Sequence, residues 1–278
     1  MRSPSRRQDL RSAEAHDAGM TTEVRITQDW REAGAAWGWR ANDWACLYEH
    51  YSTDVLLALL SRLDIACGSG FAVRLAAGTG ADVAGIDASE ELIAVARERT
   101  PDADLRVGSM FELPWPDESF DAVMSINGIW GGCEPALDEA FRVLRPGGCI
   151  GISFWGAGPP LDIRTIFRVL AIHAPDAHRG SMRRLNDIAI LGVAEDMLTG
   201  SGFSVLERGS RVSVIEWPDD DTAWRAIRAL GPAVPALRTN DETELRREAL
   251  DAFESFRDAH GIYRNRSDHQ FVVARKPV

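Results

Sequence analysis

From residue 63 onward, short apolar runs alternate with segments whose apolar positions recur every three to four residues. Runs of the first kind predict strands at 63–67, 82–86, 104–107, 120–126 and 149–155, and segments of the second kind predict helices at 70–77, 89–99 and 134–144. Ser89 stands where an N-cap belongs, ahead of a stripe formed by Leu92, Ile93, Val95 and Ala96. Arg145-Pro146-Gly147-Gly148 stops the third helix and turns the chain into the fifth strand, since proline lacks a donor and glycine tolerates tight turns. Alternating strands and helices predict a parallel, doubly wound α/β sheet with ligands at the carboxyl ends of its strands.

Both flanks break this alternation. Residues 28–60 read as helical and unusually aromatic, with Trp30, Trp37, Trp39, Trp44, Tyr48 and Tyr51. Leu60 then meets the Leu63 strand through a connection shorter than the usual helix-to-strand loop. The Arg/Ser/Ala/Asp-rich start has no periodicity, and residues 1–22 are expected to form a disordered leader, with a helical cap at 23–62. After the fifth strand, 159–190 reads as helical and locally basic, 193–201 as a helix and 203–208 as a strand. Helices at 219–230 and 241–258 precede a last strand at 269–275.

Composition narrows the function classes. The 278 residues are 45% hydrophobic and 26% charged, with a formal net charge of −11, so extensive binding to nucleic acid or anionic membrane is not expected. Apolar stretches such as 55–60 are too short to span a bilayer, and no secretory h-region is visible, so a cytoplasmic location is expected. Cys46, Cys67, Cys133 and Cys149 lack metal-ligand spacing, and neither a metal nor a disulfide framework is expected. The expected partner is a small molecule; the oligomeric state is open, a homodimer being one option.

The chemistry concentrates at Leu63-Asp64-Ile65-Ala66-Cys67-Gly68-Ser69-Gly70 and at Asp87. A strand, a glycine turn, a helix and a second strand ending in a carboxylate form a nucleoside site, with Asp87 placed for ribose hydroxyls. Val73 stands where a dinucleotide fingerprint has its third glycine, and Asp64 is a poor neighbour for a pyrophosphate. Both disfavour a nicotinamide-dependent oxidoreductase and favour S-adenosylmethionine, whose sulfonium and ammonium outweigh its carboxylate.

These residues resemble the class I S-adenosylmethionine-dependent methyltransferases, in particular small-molecule enzymes of the ubiquinone and menaquinone type. Leu63 to Gly70 is similar to the family's first motif, Gly85-Ile86-Asp87-Ala88-Ser89 to its second, Gly108 to Asp121 to the segment covering the adenine, and Leu144 to Gly148 to the turn before the fifth strand. The resemblance implies a Rossmann-like seven-stranded sheet, order 3-2-1-4-5-7-6 with the last-entering strand antiparallel, in a methyltransferase domain over 63–278. It also implies cap insertions at about 159–190 and 210–258. Ala66, Cys67 and Gly68 then offer backbone to the methionine end, with Gly70 also at the cofactor, Asp87 meets the ribose, Ala88, Ser109 and Met110 the adenine, and Ile126, Asn127 and Gly128 the sulfur side. Ser109 stands where the family usually has Asp, and a neutral acceptor accepts more weakly.

Trp37 is the expected aromatic neighbour of the cofactor, since a cation gains from aromatic faces. Tyr48, Tyr51, Trp130, Trp155 and Trp217 are candidate acceptor-site walls. Methyl transfer relies mainly on positioning and desolvation, but a phenol or enol acceptor would profit from a base, for which His50 and His173 are the candidates. The reading is a methyltransferase acting on O, N or C of a small molecule. The alternative is a non-catalytic S-adenosylmethionine-binding regulator or scaffold.

Overall fold

Helices and strands follow one another largely as the hydrophobic periodicity predicts. The computed structural model describes residues 30–60, 67–156, 158, 162–175 and 187–278. The expected leader, Asp64, Ala66, the Leu60–Leu63 connection and nearly all of the expected first strand lie outside the described residues. The N-terminal helices are α1 (Trp30–Gly38), α2 (Ala41–Leu47), a short 3-10 turn (Glu49–Ser52) and α3 (Thr53–Leu60). The alternating region contains α4 (Phe71–Ala77), β1 (Ala84–Asp87), α5 (Glu90–Arg99), β2 (Asp104–Val107), β3 (Phe120–Ile126), α6 (Glu134–Val143) and β4 (Leu144–Trp155). It is followed by α7 (Ile163–His173), α8 (Val193–Gly200), β5 (Ser204–Trp217), α9 (Asp220–Arg228), α10 (Ala233–Thr239), α11 (Glu242–Phe253) and β6 (Tyr263–Arg275).

Capping and packing explain the helices. The Ser89 hydroxyl accepts from Leu92 N, as expected, and Glu90 and Glu91 in the first turn with Arg97 and Arg99 in the last complement the α5 dipole. In α6 a proline sits in the first turn, and Ala136, Leu137, Ala140 and Val143 bury one face. The Arg145–Gly148 turn lies within the span of β4: pairing passes from Phe120↔Leu144 directly to Ala122↔Cys149, with Gly147 at φ 79°. Ladder pairing therefore resumes at residue 149, where the fifth strand was expected to begin.

Among the described residues the strands form two sheets. One is the parallel pair β1–β2, and the other has the order β3-β4-β6-β5. β3 and β4 are parallel, while β6 is antiparallel to both β4 and β5. The fold is thus mixed α/β with an antiparallel final strand.

Two strands are much longer than their sequence suggested. β5 runs to Trp217 rather than 208, and β6 starts at Tyr263 rather than 269. The expected cap insertion at 210–258 therefore begins as sheet, with its helices starting at Asp220. The reason is chemical: the inward positions of early β6 include Asn265, Ser267 and His269, so a buried face carried no hydrophobic alternation. β4 pairs with β6 only as far as Trp155↔His269, so residues 263–268 of β6 and 212–217 of β5 continue as a two-stranded ribbon past the carboxyl end of β4. The cap core forms around this ribbon: Ile215, Trp217 and Tyr263 pack with Tyr48, Tyr51, Ile166, Trp224 and Phe253.

Candidate functional site

The glycine turn leads into α4, with Gly68 at φ 78° and Gly70 at φ 76°, backbone shapes that side chains disfavour. A Cβ on Gly70 would stand 2.7 Å from the Ala96 Cβ, so the turn is pressed onto α5. Gly68 differs, because among the described residues nothing lies within 4 Å of the position its Cβ would take. At the end of β1, Asp87 closes the turn from the other side. Its Oδ2 accepts from Gly68 N at 3.1 Å and its Oδ1 from Ser89 N at 2.8 Å. Burial pushes its pKa up, while the backbone N–H groups pull it back. Each carboxylate oxygen has a further lone pair for a ligand hydroxyl. Cys67, half-buried beside the turn, has its thiol pushed up by burial and by the Asp87 charge.

The N-terminal helices dock on this turn through two contacts. Glu49 is 8% exposed, accepts from the Ser69 hydroxyl and pairs with Arg99, which also reaches Ser69 O and Ala45 O at 3.1 and 3.2 Å. Burial outweighs the Arg99 charge and carries the Glu49 carboxyl up to about 7. In the second contact, α1 lies against the loop after Asp87. A Cβ on Gly34 would fall 2.2 Å from Ala88 O, and one on Gly38 2.2 Å from Ser89 Oγ. Gly34→Ala is expected to destabilise the protein by about 1–3 kcal/mol, the usual overpacking range, in urea denaturation. An unchanged midpoint would show that α1 does not dock there.

The other expected residues fall into separate groups. The Ser109 hydroxyl accepts from Phe111 N at 3.1 Å, while Gly108 N donates to Asp87 O at 2.9 Å, tying the two loops together. Met110 packs with the Ile129–Leu137 core and Ile126 with the Val55–Leu59 core. A Cβ on Gly128 would meet Ser125 Oγ at 2.7 Å. Trp37 faces the cap core, edge-on to Trp44 at 5.1 Å and against Gly231, so glycines present α1 to the Ala88 loop. His50 is exposed. His173 bridges cap helices, with Nε2 2.7 Å from Glu248 and Nδ1 3.3 Å from Asn240 Oδ1. Trp130 packs on the Ile129–Leu137 core, and Trp217 Nε1 donates to Leu47 O at 3.1 Å.

Asn127, directly after β3, organises the polar contacts that follow. It sits at φ 55°, a left-handed conformation that asparagine tolerates better than most residues. Its N–H donates to Ser153 O at 3.0 Å, and its Nδ2 donates to the Tyr51 hydroxyl at 2.8 Å. Its Oδ1 therefore faces His269 Nε2 at 3.2 Å, which places the ring proton on Nε2 and leaves Nδ1 to accept from Ser213 Oγ at 3.2 Å. His269 is fully buried, and burial drives its pKa down to about 3. Trp155 stacks between Tyr51 at 4.6 Å and His269 at 4.8 Å. Tyr51 and Trp155 are thus brought together with Asn127, whereas His269 and Ser213 were missed. Their one sequence signal was parity: His269 lies two residues before Phe271 on the same strand face.

Residues 63–152 match the family profile described as a methyltransferase domain. The chain is 33% identical over 177 residues to a demethylmenaquinone methyltransferase of Clavibacter sepedonicus, covering 61% of this chain and 64% of that protein. Its identity to the enzyme of the same name from Renibacterium salmoninarum is 32% over 174 residues, covering 61% and 65%. It spans 36% of the length of a Mycolicibacterium smegmatis relative, to which it is 39% identical over 94 residues and whose name also cites S-adenosylmethionine. Two solved structures share the fold. A Bacillus halodurans chain solved as a candidate methyltransferase has TM-score 0.54 and 20% identity, covering 81% of this chain and 98% of that one. The YcgJ protein of Bacillus subtilis has TM-score 0.52 and 17% identity, covering 83% and 100%. The chain spans from about a third to just under two thirds of the length of these curated relatives. Among the described residues no helix is long and apolar enough to cross a membrane, and no group of His, Cys, Asp and Glu could hold a metal ion.

Proposed function

We propose that the protein is an S-adenosylmethionine-dependent methyltransferase acting on a small molecule. The observation that carries the reading is Asp87 joined to Gly68 N and Ser89 N beside an open Gly68, where a nucleoside's ribose and amino-acid ends would lie. When bound, S-adenosylmethionine supplies an activated methyl group. Asp87 accepts the ribose hydroxyls, and Gly68 lets the ligand approach the backbone without a side chain in the way. Asp64 meets the ammonium. The loop at Ala88, Ser109 and Met110 borders the adenine, and α1 closes over it through Gly34 and Gly38. Asn127, clamped by His269, Tyr51 and Ser153, forms the wall on the sulfur side.

The seven-stranded order 3-2-1-4-5-7-6 belongs to this reading, and the parallel pair β1–β2 and the order β3-β4-β6-β5 support it. The relatives named for demethylmenaquinone support a small acceptor. No base is assigned to His173, which is committed to Glu248 and Asn240 in the cap.

Thermal unfolding tests the cofactor. S-adenosylhomocysteine is expected to raise Tm by several degrees at a hundredfold excess over its Kd, because ligand binding stabilises the folded state by mass action at about 2.7 kcal/mol. NAD should leave Tm unchanged. A shift with NAD alone overturns the assignment.

A further inference from the structure

The N-terminal cap, α5 and the glycine turn meet at one buried ion pair. Glu49 lies in the 3-10 turn of the cap, Arg99 in the last turn of α5, and Ser69 between the two glycines. Glu49 and Ser69 are 8% and 2% exposed. The Ser69 hydroxyl donates to Glu49 Oε2, and Arg99 Nη1 pairs with Glu49 Oε1. The same guanidinium donates to Ser69 O at 3.1 Å and to Ala45 O of α2 at 3.2 Å. Glu49 therefore ties the cap to the turn directly, and Arg99 ties both to α5.

The turn is thus held from two sides. Asp87 at the end of β1 fixes Gly68 N, and Gly70 is pressed on Ala96 of α5. Ser69, between them, has its hydroxyl and its carbonyl committed to the ion pair. The backbone that would meet a cofactor at Gly68 is set jointly by β1 and by a carboxylate that the cap brings in.

Charge decides how firmly this joint is held. With Glu49 ionised, its bonds to Arg99 and Ser69 are charge-assisted, about twice as strong as neutral ones. With Glu49 protonated, Arg99, only 21% exposed, loses its counter-charge. Burial works against ionisation and carries the Glu49 carboxyl up to about 7, so both forms are populated at neutral pH. The charges that act on Glu49 are Arg99 and, more weakly, Arg74 of α4. On its own turn, burial pushes the Tyr51 phenol up and keeps it protonated, and His50 is exposed. Asp54 at the start of α3 is exposed, and Asp43 of α2 is committed to Arg225. From β5 the neutral Ile215 and Trp217 pack with Tyr48 and Tyr51.

We infer that Glu49 and Arg99 are positioning residues for the methyl donor: their ion pair seats the cap on the glycine turn through Ser69, and S-adenosylmethionine binds tightest to the turn held by ionised Glu49. This rests on the methyltransferase reading of the turn. Cofactor binding then expels the proton from Glu49, which links occupancy of the site to pH near neutrality.

Calorimetry with S-adenosylhomocysteine on the full chain, in paired buffers of unlike ionisation heat, tests it. Wild type is expected to bind about fivefold more weakly at pH 6 than at pH 8. At pH 7 it should release roughly 0.4 proton per ligand, as for a carboxyl that starts at about 7 and holds its proton about tenfold less tightly once the ligand is bound. Glu49→Gln, which keeps the shape, should hold the weak affinity at every pH and abolish the release. Ser69→Ala spares the Glu49–Arg99 pair but cuts its hydroxyl link to the turn; it should reduce the release, and it keeps the test readable if Glu49→Gln fails to fold. A pair that serves stability alone would lower Tm in these variants and leave the pH profile of binding unchanged. That result, proton uptake in place of release, or a release that survives both substitutions would overturn the inference. If S-adenosylhomocysteine binds wild type at no pH, the methyltransferase reading fails and the inference with it, an outcome distinct from binding that ignores pH.

Discussion

Asp87→Ala should weaken S-adenosylhomocysteine binding by at least about tenfold and toward a hundredfold, measured by calorimetry at neutral pH. Each hydrogen bond from a ribose hydroxyl to a carboxylate is worth about 1.5–3 kcal/mol, and every 1.4 kcal/mol is a factor of ten in affinity. The substitution also removes the acceptor that holds Gly68 N and Ser89 N, so the glycine turn loses its brace to β1. Asp87→Asn keeps the shape and one acceptor oxygen and should lose less. A variant that bound as tightly as wild type would exclude Asp87 from the site.

The second large effect is on acid stability. An unfolded histidine titrates near 6.5, whereas His269 in the folded protein is held down to about 3 by burial. Below pH 6.5 the unfolded chain therefore binds a proton that the folded chain refuses. Stability falls with decreasing pH across that window, by about 1.4 kcal/mol per unit. Relative to His269→Gln, wild type should lose about 2 kcal/mol more between pH 7.5 and pH 5 in urea denaturation. Glu49 acts in the opposite direction: its folded pKa of about 7 lies above the unfolded value, so the folded state gains stability as pH falls from 7 through the unfolded pKa. That contribution is common to both proteins and cancels in the comparison. Equal acid sensitivity would mean that His269 takes up its proton as readily in the folded state as in the unfolded chain.

Much of the central fold was legible because local signals agreed with it. The Ser89 cap, the α5 stripe and the glycine turn each depend on residues within a few positions of one another, and all are found as read. Local pattern failed where burial was polar. Asn265, Ser267 and His269 face inward without hydrophobic side chains, so the alternation rule missed the early half of β6 and the ribbon it forms with β5. In the candidate site, Asp87 and Asn127 were legible from their places after strands. Arg99, fifty positions from Glu49 in sequence, was not, because only the packed fold brings the two together. Trp37 shows the limit from the other side: its residue type suits a cation, yet helix phase turns it to Gly231 and gives the Ala88 loop to Gly34 and Gly38.

The sequence by itself determined the alternating α/β core, the glycine turn and the carboxylate behind it, because each is set by short-range steric and hydrogen-bonding rules. Only the tertiary structure decided what surrounds Asn127: the Ser213–His269–Asn127–Tyr51 chain, the Tyr51–Trp155–His269 stack and the unpaired donors of Asn265 and Tyr48. These groups come from distant parts of the chain, and their chemistry is set by burial. An imidazole held neutral and an amide left without a partner acquire those properties only when water is excluded from around them.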